Sequence, residues 1–250
     1  MSGSPACPGN ALVTGATRGI GKAIAQRLAD SGYHLTLSAR NDDALRAVAR
    51  ELGGTGVEVR VAAADMAVES DVRALARGHV DRFGTVGLLL LCAGVGTAGL
   101  LADYPLHRFD RQVAVNLRGS LALLQECLPG LRAAASKHPD RGARVVAISS
   151  MAGVASEPGL AAYAATKAAL ISLCQSVNVE ESHGGVSATA ISPGYVDTDM
   201  SAWKHDEVAP NEMIQAADVA ELVAGLTRLS SRAVVPHVMV ARRGSTQWRA

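Results

Sequence analysis

The chain has 250 residues, 48% of them hydrophobic, and a formal net charge of +1. That is enough apolar content for one sizeable α/β core. The balanced charge, with no like-charge run longer than a pair such as Arg242-Arg243, excludes the basic stripe of an electrostatic nucleic-acid binder, and no apolar run reaches the roughly 18 residues of a membrane span.

The start, MSGSPACPGN, lacks the charged and apolar blocks of a signal peptide. Residues 1–9 read as a flexible tail and 10–250 as a single cytoplasmic domain. Cys7, Cys92, Cys127 and Cys174 lie far apart with no CxxC or Cys/His spacing, so neither a metal site nor a disulfide framework is expected.

The first strand candidate, ALVTG from Ala11, runs into GATRGIG, which places Gly15, Gly19 and Gly21 before a helix over 20–31. Glycine permits a tight turn and lets a phosphate approach the backbone, and the helix N-terminus behind it offers free N–H groups. The second strand, HLTLSA from His34, ends at Ala39-Arg40. Dinucleotide folds place an acid near this point to hold the adenosine ribose hydroxyls. Here the acid is missing. Arg40, with Arg18 from the glycine turn, suits a 2′-phosphate, which favours NADP(H) over NAD.

A helix over 41–52 opens on Asn41-Asp42-Asp43, a capping signature. Then follow a strand at 57–63, a helix over 69–83, and GLLLLCAG from Gly87. A long helix is predicted over 106–134, then the strand ARVVAIS from Ala143. Runs such as GLLLLCA and RVVAIS are apolar without alternation, which suits strands buried on both faces of a parallel sheet. The helix predicted over 161–182 carries Tyr163 and Lys167 on one face, four residues apart. A nearby ammonium favours phenolate, so the tyrosine pKa is expected to fall toward neutrality and the phenol to serve as an acid/base group. Strand SATAIS from Ser187, a helix over 216–229 and strand HVMVA from His237 complete the chain. The alternation predicts a single doubly wound, Rossmann-like domain with an about seven-stranded parallel sheet and helices on both faces.

Taken together, these motifs resemble the short-chain dehydrogenase/reductase family. TGATRGIG resembles its TGxxxGxG, YAATK its YxxxK, VNLRG its central-helix motif, ISS its serine motif, and SPGYVDTDM its PG motif with a following threonine. The similarity spans about 14 to 200, with motif order and spacing in agreement. The resemblance implies that Tyr163 is the general acid/base. Lys167 would lower its pKa and bond the nicotinamide ribose, Ser150 would polarise the carbonyl, and Asn116 would kink its helix and hold a proton-relaying water. It further implies a cofactor cradle of Gly15, Thr17, Arg18, Gly19, Ile20 and Gly21, with Asp65 at the adenine and Arg40, Met66, Ala93 and Gly94 also lining the cofactor. Pro193, Gly194, Val196 and Thr198 would hold the nicotinamide end together with Tyr163 and Lys167. The cofactor would be NADP(H), the reaction hydride transfer to or from a carbonyl/alcohol pair, and the assembly a homodimer or homotetramer.

Leu91-Cys92 replaces the family's usual Asn-Asn, so weaker local hydrogen bonding is expected there. The C-terminus lacks the DGG-like segment of the family's acyl-carrier-protein reductases. Segments 95–104, 151–160 and 198–210 are expected to line the substrate site, with a lid around 198–212. The first two are small and apolar, which suits an uncharged or largely apolar carbonyl. The rival reading is a non-catalytic NADP(H)-binding regulatory protein on the same fold. Retention of both Tyr163 and Lys167 speaks against it.

Overall fold

Seven strands form one parallel sheet in the order β3-β2-β1-β4-β5-β6-β7. They are β1 (Asn10–Thr14), β2 (His34–Ala39), β3 (Val59–Ala63), β4 (Leu88–Leu91), β5 (Ala143–Ile148), β6 (Val186–Pro193) and β7 (His237–Val240). The computed structural model describes residues 8–245. Every residue of β1, β4, β5 and β6 is buried, which is why these runs carry no polar alternation.

Among the described residues, seven α-helices accompany the strands: α1 (Gly19–Asp30), α2 (Asp42–Leu52), α3 (Glu69–Phe83), α4 (Leu106–Gln112), α5 (Gly119–Lys137), α6 (Ala161–Glu181) and α7 (Ala216–Thr227). Leu28 of α1, Leu45 of α2 and Val223 of α7 fill one face of the sheet. Leu75 of α3, Leu123 of α5 and Cys174 of α6 fill the other. The fold is the doubly wound, Rossmann-like one that the alternation predicts. Asn41 caps α2 as expected, its Oδ1 accepting from the Ala44 N–H at 2.9 Å.

Two boundaries depart from the sequence reading. The expected tail over 1–9 lies mostly outside the described residues, but Pro8 and Gly9 are fastened. The Gly9 carbonyl accepts from the His34 N–H at 3.1 Å, and Arg141 donates to the Pro8 carbonyl at 3.3 Å. The helix predicted over 106–134 is not one continuous α-helix. Between α4 and α5 lies a π-helical segment, Val113–Arg118, and the Gly119 N–H reaches back to the Ala114 carbonyl. Just beyond it the Ser120 hydroxyl donates to the Asn116 carbonyl at 2.9 Å. Position 119 needs glycine, because a Cβ there would stand 2.1 Å from the Met66 carbonyl oxygen.

A buried polar network joins α3 to β1 and β2. The fully buried His79 of α3 places Nε2 3.0 Å from Asn10 Oδ1 and Nδ1 2.8 Å from Thr36 Oγ1. An amide oxygen only accepts, so Nε2 carries the proton and Nδ1 accepts from the threonine. Burial, followed by the nearby Arg60 charge, pushes the His79 pKa down from 6.5 to about 4. The unfolded chain therefore binds an extra proton between those values. The neutral ring's contribution is complete above pH 6.5 and is lost as pH falls toward 4. It amounts to roughly 3 kcal/mol. Denaturant titrations at pH 7 and pH 4.5 should show His79→Gln less stable at pH 7 but with a clearly shallower acid loss than wild type. Equal acid losses would remove His79 from the account.

Among the described residues no helix is long and apolar enough to cross a membrane.

Candidate active site

Sheet order reverses between β1 and β4, and a cleft of about 1320 Å³ opens there beyond the carboxyl ends of the strands. Its floor is the glycine turn between β1 and α1. Gly15 and Gly19 have φ values of +66° and +53°, which favour glycine. Gly15 and Gly21 are also tightly packed. A Cβ on Gly15 would lie 3.0 Å from the Ala93 backbone, and one on Gly21 only 2.2 Å from the Gly15 carbonyl oxygen. Arg18, at the N-cap of α1, supplies no side-chain cap, so the first N–H groups of the helix face the cleft without an intrahelical partner. Thr17, Arg18 and Ile20 line the same turn. A backbone cradle of this kind, at the positive end of a helix, fits a diphosphate.

On the adenosine side, Arg40 and Asp65 both line the cleft. Burial pushes the Asp65 pKa up, but bonds from the Ala67 N–H and Arg111, with the Arg40 charge nearby, bring it below the ordinary value. Arg111 reaches the carboxylate at 2.9 Å from α4, a partner that nothing in the AADMA motif announced. Arg18 does not stand free as the sequence suggested. It pairs with Asp199, the residue after Thr198, at 2.8 Å. Both side chains are about 70% exposed, so the pair is weak and exchangeable. Beside it the Thr198 methyl closes over Gly19, 3.1 Å from where a Cβ would stand.

Ser150, Tyr163 and Lys167 converge on the other half of the cleft. The two serines ending the β5 run separate cleanly. The Ser149 hydroxyl donates to the Lys167 carbonyl at 2.8 Å, whereas the Ser150 hydroxyl accepts from the Ala152 N–H at 3.1 Å and lies on the Tyr163 side, where it acts to lower the phenol pKa. Lys167 is buried, and Nζ donates to the Ile148 carbonyl at 2.8 Å. Nζ lies 5.5 Å from the Tyr163 ring centroid. The expected fall of the tyrosine pKa is not what this arrangement gives. Burial raises the Tyr163 pKa to about 12, against the opposing bond from Ser150, and burial also lowers Lys167 to about 8. Desolvation is the largest influence on both groups, and the ammonium already donates to the Ile148 carbonyl.

Asn116 does not line the open cleft. It sits beneath it, fully buried in the π segment. Its Oδ1 accepts from the Val95 N–H, and its Nδ2 donates to the Val95 carbonyl, each at 2.8 Å. Nδ2 also donates to Thr166 on α6 at 3.1 Å. The amide thus continues β4 as a strand neighbour would. Above it, a Cβ on Gly94 would stand 3.4 Å from Lys167 Nζ and 3.5 Å from Asn116 Oδ1.

The weak hydrogen bonding expected at Leu91-Cys92 is not found. The Thr14 hydroxyl accepts from the N–H groups of Cys92 and Ala93, at 3.0 and 3.1 Å, and donates to the Leu90 carbonyl at 3.0 Å. Thr14 was missed as a site residue, although it lies inside the TG of the glycine motif. Pro193 ends β6, and the Gly194 N–H extends the sheet to the Val240 carbonyl at 2.9 Å. Val196 bridges to Ile214, closing the segment 196–214 into a loop with short turns at Ala202–Lys204 and Pro210–Glu212.

Residues 9–209 match the family described as short chain dehydrogenase. An uncharacterized oxidoreductase of Staphylococcus epidermidis is 32% identical over 213 residues, covering 85% of this chain and 88% of that protein. A 3-oxoacyl-(acyl-carrier-protein) reductase of Staphylococcus aureus is 31% identical over 226 residues, covering 87% and 89%. An alcohol dehydrogenase from the archaeon Thermococcus sibiricus, complexed with 5-hydroxy-NADP, superposes with a TM-score of 0.86 at 29% identity. That match covers 95% of this chain and 98% of the other.

Proposed function

Since the chain belongs to the short chain dehydrogenase family of oxidoreductases, we propose that it is an NADP(H)-dependent reductase or dehydrogenase acting on a carbonyl/alcohol pair. The observation that carries this is the convergence of Ser150, Tyr163 and Lys167 on one cleft with the glycine cradle. When bound, the nicotinamide supplies or takes up the hydride. In this reading the glycine turn and the α1 N-terminus hold the diphosphate, Arg40 takes the 2′-phosphate, and Arg18 exchanges Asp199 for it. Arg40 forms no ion pair among the described residues, so it is available for that contact.

The Ser150 hydroxyl and the Tyr163 phenol both donate to the substrate carbonyl oxygen. Tyr163 Oη then gives its proton to the developing alkoxide. A phenol held near pKa 12 is fully protonated at neutral pH, the form a reduction requires. The buried Lys167 ammonium stabilises the phenolate left behind. Its charge acts across a dry site, where it is worth more than in water. Asn116 fixes the Val95 backbone and, through Thr166, the start of α6.

Fluorescence titration with NADPH and NADH, followed by NADPH oxidation with a panel of ketones and aldehydes, tests this reading. NADPH should bind at least about tenfold more tightly, and Arg40→Ala should remove most of that preference. Tight binding with no turnover of any carbonyl would favour the regulatory alternative, and binding of neither nucleotide would end both.

A further inference from the structure

The segment that follows β4, residues 92–100, forms neither helix nor strand, so side chains from elsewhere must give it its shape. It walls part of the cleft through Val95, Gly96 and Thr97. Gly96 lies directly against the edge of the Tyr163 ring. A Cβ there would stand 3.0 Å from Tyr163 Cδ2 and 3.1 Å from Cε2. The backbone at position 96 is therefore a surface on which the phenol ring rests.

Two buried amides hold that backbone, one on each side of Gly96. Asn116 takes both backbone groups of Val95. Gln112, the last residue of α4 and only 1% exposed, acts on Thr97. Its Nε2 donates to the Tyr104 hydroxyl and stands 3.5 Å from Thr97 Oγ1. Tyr104 Oη donates to the Thr97 carbonyl at 3.3 Å. With the phenol proton so placed, the Thr97 hydroxyl donates to the phenol oxygen, which then accepts two bonds and gives one. The Tyr104 ring covers Gly99, where a Cβ would stand 2.9 Å from Cδ2. The Gly99 N–H donates to the Gly159 carbonyl at 2.9 Å, which carries the cluster across to the loop after β5.

Resting on the reductase reading above, we infer that Gln112 is a positioning residue for carbonyl reduction. Through Tyr104 and Thr97 it completes a two-point clamp whose other half is Asn116, and the clamp fixes the backbone beside the Tyr163 ring. With Thr97 released, Gly96 is held from the Val95 side alone and the ring loses a fixed support. Proton delivery from Tyr163 Oη depends on that support, because a misplacement of about 1 Å in a reacting group can cost about 100-fold in rate. Gln112 and Tyr104 do not themselves line the cleft, so no contact to the nucleotide is lost when either is changed.

Gln112→Met keeps the volume but removes the donor, and Tyr104→Phe removes the oxygen it reaches. The readout is single-turnover oxidation of prebound NADPH by cyclohexanone, benzaldehyde or methyl acetoacetate, whichever wild type reduces fastest. Each variant should be about tenfold slower per nucleotide-bound site, with NADPH affinity by fluorescence within about twofold of wild type. The double variant should lose no more than about twofold beyond either single one, because both cut the same link. His79→Gln, less stable but far along the chain from these residues, is the control for lost stability alone and should keep the wild-type rate. Where Gln112→Met fails to fold, Tyr104→Phe and Thr97→Val make the same comparison. Wild-type rates in the clamp variants, fully additive losses in the double variant, or an equal fall in His79→Gln would overturn the inference. Wild type that binds NADPH yet reduces no carbonyl compound would instead reject the reductase reading, and the inference with it.

Discussion

Tyr163→Phe is expected to lower kcat for carbonyl reduction by about 10³-fold while changing NADPH affinity by no more than about threefold. The substitution removes one oxygen and leaves the ring, so the packing of α6 against the 151–153 turn should survive. What disappears is the proton donor and one of two hydrogen bonds to the growing alkoxide. Ser150 still donates, which is why residual activity should persist. The loss should fall on kcat more than on KM, because the missing interaction strengthens only as charge develops on the oxygen. Single-turnover oxidation of prebound NADPH measures the chemical step directly. A variant that reduced carbonyls at the wild-type rate would remove Tyr163 from the mechanism, whatever its affinity for the nucleotide.

Gly21→Ala should be the most damaging small change in the cofactor half. The added methyl would stand 2.2 Å from the Gly15 carbonyl oxygen and 2.8 Å from its carbon. Both groups are backbone, so no side chain can rotate away. The turn itself must open, and Gly15 is already pressed against Ala93. A stability loss of about 3 kcal/mol is expected, together with NADPH binding weakened about 100-fold as the cradle loses its shape. Gly53→Ala is the matched control. That residue has helical angles, φ −59° and ψ −20°, and nothing within 4 Å of its Cβ position. It should bind NADPH normally and melt at or slightly above the wild-type temperature. Comparable NADPH affinity in the two variants would show that the glycine turn does not shape the nucleotide site.

The sheet was readable because β1, β4, β5 and β6 are buried on both faces and their apolar runs say so directly. The cofactor turn was readable because glycine at fixed spacing after a strand has a specific steric meaning. Other features left little trace. Apolar content alone does not distinguish a π turn from an α turn at 113–118; the VNLRG resemblance pointed to a kink at Asn116 but not to its π form. The tyrosine pKa was misjudged because spacing along α6 reports which side chains share a face, not how much water they lose. It also could not show that Lys167 spends its charge on the Ile148 carbonyl. The Arg18–Asp199 pair joins segments distant in sequence, so nothing around the glycine turn announced a partner for Arg18. Arg111 was missed for the same reason: only the folded α4 brings it to Asp65.

The Thr14 hydroxyl receives two backbone N–H groups and gives its own proton to Leu90, so three bonds meet on one oxygen. Neither of the side chains at positions 91 and 92 takes part in these bonds. Tolerance to substitution is therefore distributed unevenly around this junction. The thiol of Cys92 can be exchanged for another small group without unfastening the loop from β1. Serine alone among the other side chains could stand in for Thr14, because valine keeps the shape but strands two N–H groups. Change at position 92 therefore leaves the junction fastened, whereas loss of the hydroxyl at Thr14 removes all three bonds at once.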